Sequence, residues 1–239
     1  MNEEAAALAD FMAEDDIGLG GEFLAYMALR ELPGTWRVLQ NLLVPVMGRD
    51  VRDTEIDLAL VHASGVYVLE VKEYSGWIYG SPRDYKWTQT LKGKHGKIHK
   101  NKFYNPLRQN YGHTQALKQK LAMLGSIPLH SIVVFSDHCE FKTQLFTAKT
   151  AVIHRRDLVS TLTRIARESG DCLGPGSVDA IYWLLKTMAN PSQQRKGEHI
   201  KAVQAIASKE NQAIRQPVQL TNAKRSLWSR LFRRSTNKK

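Results

Sequence analysis

Between Thr54 and Lys72 the chain reads T-E-I-D-L-A-L-V-H-A-S-G-V-Y-V-L-E-V-K. Ile56, Leu58 and Leu60 alternate with Glu55, Asp57 and Ala59, and a period of two is that of a β-strand. Ala63-Ser64-Gly65 supplies a tight turn in which Gly65 is free to take a positive φ. Val66 to Val71 is β-branched and aromatic, so a second strand follows at once. The rest of the chain must be organised around this apolar hairpin. Three charged groups interrupt it: Asp57, Glu70 and Lys72. Pairing across the turn brings Asp57 and Glu70 towards one end of the sheet. Glu70 and Lys72 are two apart and share a face. A carboxylate in an apolar sheet must be paired or bound to a metal. Two neighbouring carboxylates repel, and a divalent cation relieves them. A lysine on the same face can hold a phosphate or steady a water. The set suits metal-assisted hydrolysis of a phosphodiester. On spacing alone it is equally an exposed Asp–Lys or Glu–Lys ion pair.

Further motifs flank the hairpin in order. They are G-x-G-G-E at Gly18–Glu22, S-G-W-I at Ser75–Ile78, Trp87, and N-P-x-x-Q-N-x-x-H at Asn105–His113. An Asp followed by E-x-K on consecutive strands resembles the PD-(D/E)xK nuclease motif. The ordered set, from about Gly18 to Phe135, resembles the nuclease-related domain family (NERD) of that superfamily. The resemblance implies a restriction-endonuclease-like α/β fold. It also implies a site in which Asp57 and Glu70 bind metal with a backbone carbonyl near Val71. Lys72 would orient or help deprotonate the attacking water and steady the developing negative charge. Glu22, on the first helix, would complete the metal site; without the resemblance it reads as a solvent-facing residue near a helix start. Gln109 would support the site by orienting a water or contacting a phosphate, and Asn110 and His113 match the motif with roles left open. Two positions depart from the family pattern: Glu73-Tyr74 stands where an Asn-aromatic pair is common, and Leu58 where His is common. Glu73 is either an extra carboxylate near the metal or a solvent-facing one.

Ser81–Lys120 holds ten Lys/Arg and one acid, Asp84, with Tyr85, Trp87, Phe103 and Tyr104 interleaved. Lysine and arginine neutralise phosphates while aromatic rings stack on bases. Lys86, Trp87, Lys92, Lys94, Lys97, Lys100, Lys102 and Arg108 are therefore the candidate nucleic-acid contacts. Lys92–Lys102, with Gly93 and Gly96, reads as a loop able to close on a substrate, or as a solvated basic loop. Nothing resembles a recognition helix, so backbone contacts are expected to dominate over base readout.

The net charge is +11, and residues from Asn211 onward carry eight Lys/Arg and no acid, leaving 26 basic against 23 acidic residues, or +3, in the remainder. The surplus is largely a tail property and calls for a polyanionic partner. Leu227-Trp228 and Leu231-Phe232 recur at helical spacing among arginines, so 211–239 reads as a basic amphipathic tail. It would meet nucleic acid, a protein partner or an anionic membrane surface, or stay disordered. The two cysteines support neither a disulfide framework nor a cysteine zinc site, and a cytoplasmic compartment is expected. No apolar run reaches the ~18 residues of a membrane span.

The remaining elements follow from pattern. A helix is expected over Ile17–Leu32 with Phe23, Leu24, Met27, Ala28 and Leu32 as its apolar stripe, and a strand over Trp36–Val44. A strand carries Trp77 and Ile78. A helix over Leu107–Leu124 packs Leu107, Tyr111, Leu117, Leu121 and Leu124 inward. Ser131–Phe135 is a buried strand, Asp137–Glu140 a turn and Ala151–His154 an edge strand. Arg156–Arg167 and Val178–Met188 are flanking helices, the second with Tyr182-Trp183 against the core. The expected organisation is an acidic segment 1–16, a nuclease-like domain 17–189 with one mixed central sheet flanked by helices, and a helical extension with a basic tail, 190–239. The expected function is a Mg²⁺- or Mn²⁺-dependent nuclease, with DNA placed ahead of RNA as substrate. The alternative is an inactive nucleic-acid-binding module or recruitment subunit tethered by the tail.

Overall fold

A computed structural model describes residues 17–46, 53–93, 96–143, 150–189, 191–192, 194–195, 197–202 and 204–205. Expectations for 1–16, Lys94, His95 and 211–239 lie outside the described residues. The chain divides into two compact units, residues 1–196 and 197–239. In the second, the described residues are a short helical stretch.

The described elements run α1 (Ile17–Leu29), β1 (Arg37–Pro45), β2 (Asp53–His62), β3 (Gly65–Lys72), β4 (Gly76–Tyr79), β5 (Lys86–Lys92), β6 (Ile98–Tyr104), α2 (Pro106–Leu121), β7 (Leu129–Phe135), β8 (Cys139–Phe141), β9 (Thr150–His154), α3 (Leu158–Ser169) and α4 (Pro175–Lys186). Five strands form a mixed sheet in the order β1-β2-β3-β7-β9. The β1/β2 and β2/β3 pairs are antiparallel, and β3/β7 and β7/β9 are parallel. Helices cover both faces. Ala116, Leu117 and Leu121 of α2 and Ile181 and Leu185 of α4 pack on one face against Ala59, Val61, Val66 and Val68. Ala25 and Leu29 of α1 and Leu158 and Leu162 of α3 pack on the other against Leu58, Leu60, Tyr67 and Leu69. This is a restriction-endonuclease-like α/β architecture. β3 is buried along nearly its whole length because helices cover it on both sides.

Beside the expected mixed central sheet stands a second one. After β3 the chain leaves the main sheet and builds a second of order β6-β5-β4-β8. The segment read as a closing loop, Lys92–Lys102, is mostly the end of a β-hairpin, with β5 pairing β6 from Lys86↔Tyr104 to Lys92↔Ile98. Period-two alternation in K-W-T-Q-T-L-K was the overlooked signal; the flanking glycines and lysines masked it. The turn expected at Asp137–Glu140 contains the start of β8, which pairs β4 in parallel.

Two helix stripes also differ. In the α1 region Ala28 and Leu32 pack on the core as expected, beside the fully buried Ala25 and Leu29, while Leu24 and Met27 are exposed. In α2 Tyr111 and Leu124, just past its end, are exposed, and Asn110 and His113 point inward instead. Trp183 of α4 is 63% exposed rather than packed on the core.

Asn110 explains the α2 difference. Its buried Nδ2 donates towards Val68 O at 3.0 Å, Ile132 O at 3.1 Å and Ser131 Oγ at 2.9 Å. An amide thereby pins the helix across the β3/β7 seam, the junction that joins the antiparallel hairpin to the parallel strands. At the helix start, Asn105 accepts from Leu107 N and Pro106 occupies the first turn, so the register of α2 is fixed from its N-cap. Removing a buried hydrogen-bonding amide costs roughly 1–3 kcal/mol for the groups left unpaired, plus packing. Asn110→Ala is expected to lose about 2 kcal/mol or more in urea denaturation; an unchanged midpoint would show that the seam does not depend on this amide.

Candidate metal and phosphoryl-transfer site

The β2/β3 ladder stops one step short of the carboxylates. Paired residues run from His62↔Gly65 to Leu58↔Leu69, so Asp57 and Glu70 would be the next pair but are not joined. On the other side β1 and β2 pair at Gln40↔Leu58 and at Leu42↔Ile56, omitting Asn41 and Asp57. Asn41 sits in the left-handed region at φ 50°, which asparagine tolerates better than most residues. The face alternation slips at this level in both strands: Leu39 and Leu42 lie in the same core layer, as do Ile56 and Ala59. Asp57 is thereby released from the pleat. Its Oδ2 accepts the Val71 N–H at 2.7 Å.

Glu70 and Lys72 lie on the α2 face of β3. Glu70 is 0% exposed. His113 Nε2 donates to its Oε2 at 2.9 Å, because a carboxylate only accepts. His113 Nδ1 meets Thr54 Oγ1 at 2.7 Å, so the imidazole is held from both ends. The other oxygen, Oε1, is ion-paired with the Lys72 ammonium. Burial alone pushes Glu70 up; the Lys72 ammonium and the His113 hydrogen bond more than offset it and hold it below the usual range. Burial pushes Lys72 down, and the Glu70 and Asp57 carboxylates more than offset that and hold it above the ordinary lysine value. A lysine so stabilised is a cation. Such a cation suits steadying negative charge.

Asp57 is the unsatisfied member. Burial first, then the Glu70 and Glu22 carboxylates, raise it well above the usual value, against Lys72 and the Val71 N–H. Glu22 is thus brought within electrostatic reach from α1. The approach of α1 requires Gly21, since a Cβ there would stand 2.7 Å from Glu73 Cβ. Glu73 takes neither expected role: its Oε2 accepts from Arg155 at 2.8 Å. Gln109 lies partly exposed on α2 beside the inward-facing Asn110.

Among the described residues no three of His, Cys, Asp and Glu form a preformed metal-binding group. The donor set nevertheless fits a hard cation. Two carboxylates stand at the level where the β2/β3 ladder stops, and Asp57 is held in a mutually repelling cluster that positive charge would relieve. Asp57 and Glu70 are the residues able to hold it, with Glu22 nearby. Mg²⁺ keeps several waters and needs few protein ligands, which such a sparse site provides.

Among the candidate nucleic-acid contacts, Lys86, Lys92, Lys97, Lys100, Lys102 and Arg108 are exposed. Trp87 is a correction. It is fully buried, with its ring centroid 6.2 Å from that of Phe135 and its Nε1 donating to Ser81 O at 2.9 Å. No base can reach it; it faces the inner side of the second sheet. Missed in the sequence was the Thr54–His113–Glu70 chain. Two polar residues, Asn110 and His113, three apart on an otherwise apolar helix stripe were its signal.

The sequence profile of the nuclease-related domain family matches residues 17–136, about half of the chain. The chain belongs to this family. An uncharacterised protein of Bacillus anthracis is 34% identical over 143 residues, which is 59% of this chain and 63% of that protein. The chain thus spans less than two thirds of that relative's length. Among the described residues no helix is long and apolar enough to cross a membrane.

The electrostatics of Asp57 yield a stability prediction with a defined sign. A carboxyl raised in the folded state favours folding at low pH, and that contribution is lost as pH rises through the raised value. Wild type therefore carries a penalty at neutral pH without metal. Asp57→Asn, which keeps an acceptor for Val71 N–H, is expected to melt higher than wild type in EDTA at pH 8. The gap should close as pH falls through the raised Asp57 value. A variant no more stable than wild type at pH 8 would contradict the assigned repulsion.

Proposed function

We propose that this chain is a divalent-metal-dependent nuclease that hydrolyses phosphodiester bonds, with DNA as its substrate. The observation that carries the reading is that the β2/β3 ladder stops at Asp57 and Glu70, leaving two mutually repelling carboxylates beside the Lys72 ammonium. Asp57 and Glu70 would hold Mg²⁺ or Mn²⁺, with Glu22 and a backbone carbonyl near Val71 completing the site. A cation bound there would polarise a phosphoryl oxygen and lower the pKa of a bound water. Lys72 remains an ammonium and steadies the charge that builds on the phosphate oxygens in the transition state. His113 fixes the rotation of the Glu70 carboxylate, so that Oε2 is committed and Oε1 faces Lys72. Gln109 orients a water or a phosphate from the adjacent turn of α2. Exposed lysines of β5 and β6 hold the nucleic-acid backbone by charge, with little sequence readout.

The absence of a preformed three-residue metal group among the described residues favours one competing reading, a nucleic-acid-binding module without activity. The two separate in a single experiment. Purified full chain is incubated with single- and double-stranded DNA and RNA in Mg²⁺, Mn²⁺ or EDTA, beside Asp57→Ala and Lys72→Ala. The nuclease reading expects metal-dependent cutting that falls about 100-fold or more in each variant, the scale of removing a transition-state charge partner. No cutting in any metal, with equal salt-sensitive binding by all three proteins, would establish the binding module instead.

A further inference from the structure

The second sheet has two unlike faces. Ile78, Trp87, Phe103, Cys139 and Phe141 point to one side and pack against Tyr74 and Phe135 in a core layer. The register assigns the other face. Thr90 stands opposite Trp77 and Thr88 opposite Tyr79, while across β5 and β6 the pairs are Lys86↔Tyr104, Thr88↔Lys102, Thr90↔Lys100 and Lys92↔Ile98. Across β5 and β6 each outer-face pair therefore sets one lysine against a tyrosine, a threonine or an isoleucine. Tyr79 is 38% and Tyr104 41% exposed. Lys92 Nζ lies 4.8 Å and Lys142 Nζ 5.2 Å from the centre of the Trp77 ring, so cations already cap that indole. Among the described residues none of Lys86, Lys92, Lys100 and Lys102 makes an ion pair, and the acid aligned with this face, Glu140, is paired with Lys142. Five lysines against one acid leave the face strongly positive. β6 is an edge strand, so the platform runs open to solvent on that side.

We propose that this outer face is a binding platform for single-stranded nucleic acid, with Tyr79 and Tyr104 stacking on bases while Lys86, Lys92, Lys100 and Lys102 neutralise phosphates. The inference rests on the nuclease-related reading and names its substrate class. The aromatic rings decide between strand states. In a duplex the base faces are hidden in the stack, and a protein gripping it by charge gains nothing from exposed tyrosines. In a single strand every base offers a free π-face, and stacking tolerates any sequence. Lysines spaced along two strands track a phosphate backbone beside those rings. Trp77, already capped by two cations, is the rigid floor of the platform rather than a stacking partner.

The test measures binding of fluorescent oligonucleotide by anisotropy across a salt series. The full chain is kept in EDTA so that cleavage does not interfere. The probes are a mixed-sequence single strand and the same sequence as a duplex. Single strand is expected to bind about 10-fold or more tighter than duplex, since stacking contributes roughly 5-fold or more per base. Tyr79→Ala/Tyr104→Ala should lose about 10-fold or more for single strand and little for duplex. Tyr79→Phe/Tyr104→Phe, which keeps both rings, should bind like wild type and guards against a folding artefact, as does an unchanged melting temperature. Lys100→Ala/Lys102→Ala should lower the salt slope by about 1.4, at ~0.7 per phosphate contact on a single strand. Equal affinity for the two strand states, or wild-type binding by the Tyr→Ala pair, would overturn the platform. Tight single-strand binding without cleavage in any metal would instead sink the nuclease reading and leave the platform standing. Cleavage of duplex with no response to the tyrosine variants would do the reverse.

Discussion

A fully buried carboxylate in the middle strand of the main sheet sets the terms for the rest of the molecule. Glu70 stands on β3 between β2 and β7, covered by α2. An isolated charge there would cost several kcal/mol after relaxation. The fold meets that cost from two directions. Lys72, two residues along the same face, brings an ammonium, and His113 brings an N–H from α2. His113 arrives only because Asn105 caps α2 and Asn110 pins it to the β3/β7 seam. The polar residues of α2 are thus one device: cap, pin and carboxylate clamp at fixed spacing along a single helix.

Asp57 has no such provision. The strands part at its level, Asn41 takes a left-handed conformation opposite it, and its one hydrogen bond is to the Val71 N–H. Two neighbouring carboxylates then push its pKa up. The protein satisfies one carboxylate and leaves the other in a repulsive position beside it. In the proposed site a divalent cation would convert that repulsion into attraction, so destabilisation of the free protein and affinity for metal would have the same origin.

Much of this was legible in residue order. The alternation in Thr54–Leu60 and the β-branched run in Val66–Val71 placed the hairpin, and two-residue spacing placed Glu70 and Lys72 on one face. The buried strand at Ser131–Phe135 and the edge strand at Ala151–His154 followed from apolar runs of strand length. What could not be read was tertiary. The second sheet forms because β4 turns away after Gly76, whose φ of 77° is open to glycine, and closes on β8 by a parallel pairing from far along the chain. Without that partner, Lys86–Tyr104 looks like a basic loop, and Trp87 looks like a surface ring instead of a core one. The inward turn of Asn110 and His113 was hidden for a related reason. A helix stripe is read from apolar residues, and here the decisive inward positions are polar because their partners are strand carbonyls and a carboxylate.

Asp57 and Glu70 are proposed to hold a divalent cation jointly, and Mn²⁺ binding followed by electron paramagnetic resonance tests this without reference to any substrate. Wild type is expected to bind Mn²⁺ at a site displaced by Mg²⁺, with affinity falling about 10-fold or more in Asp57→Asn and in Glu70→Gln, the scale on which altered ligation acts. Mn²⁺ binding that is absent from wild type, or that persists unchanged in both variants, would contradict it.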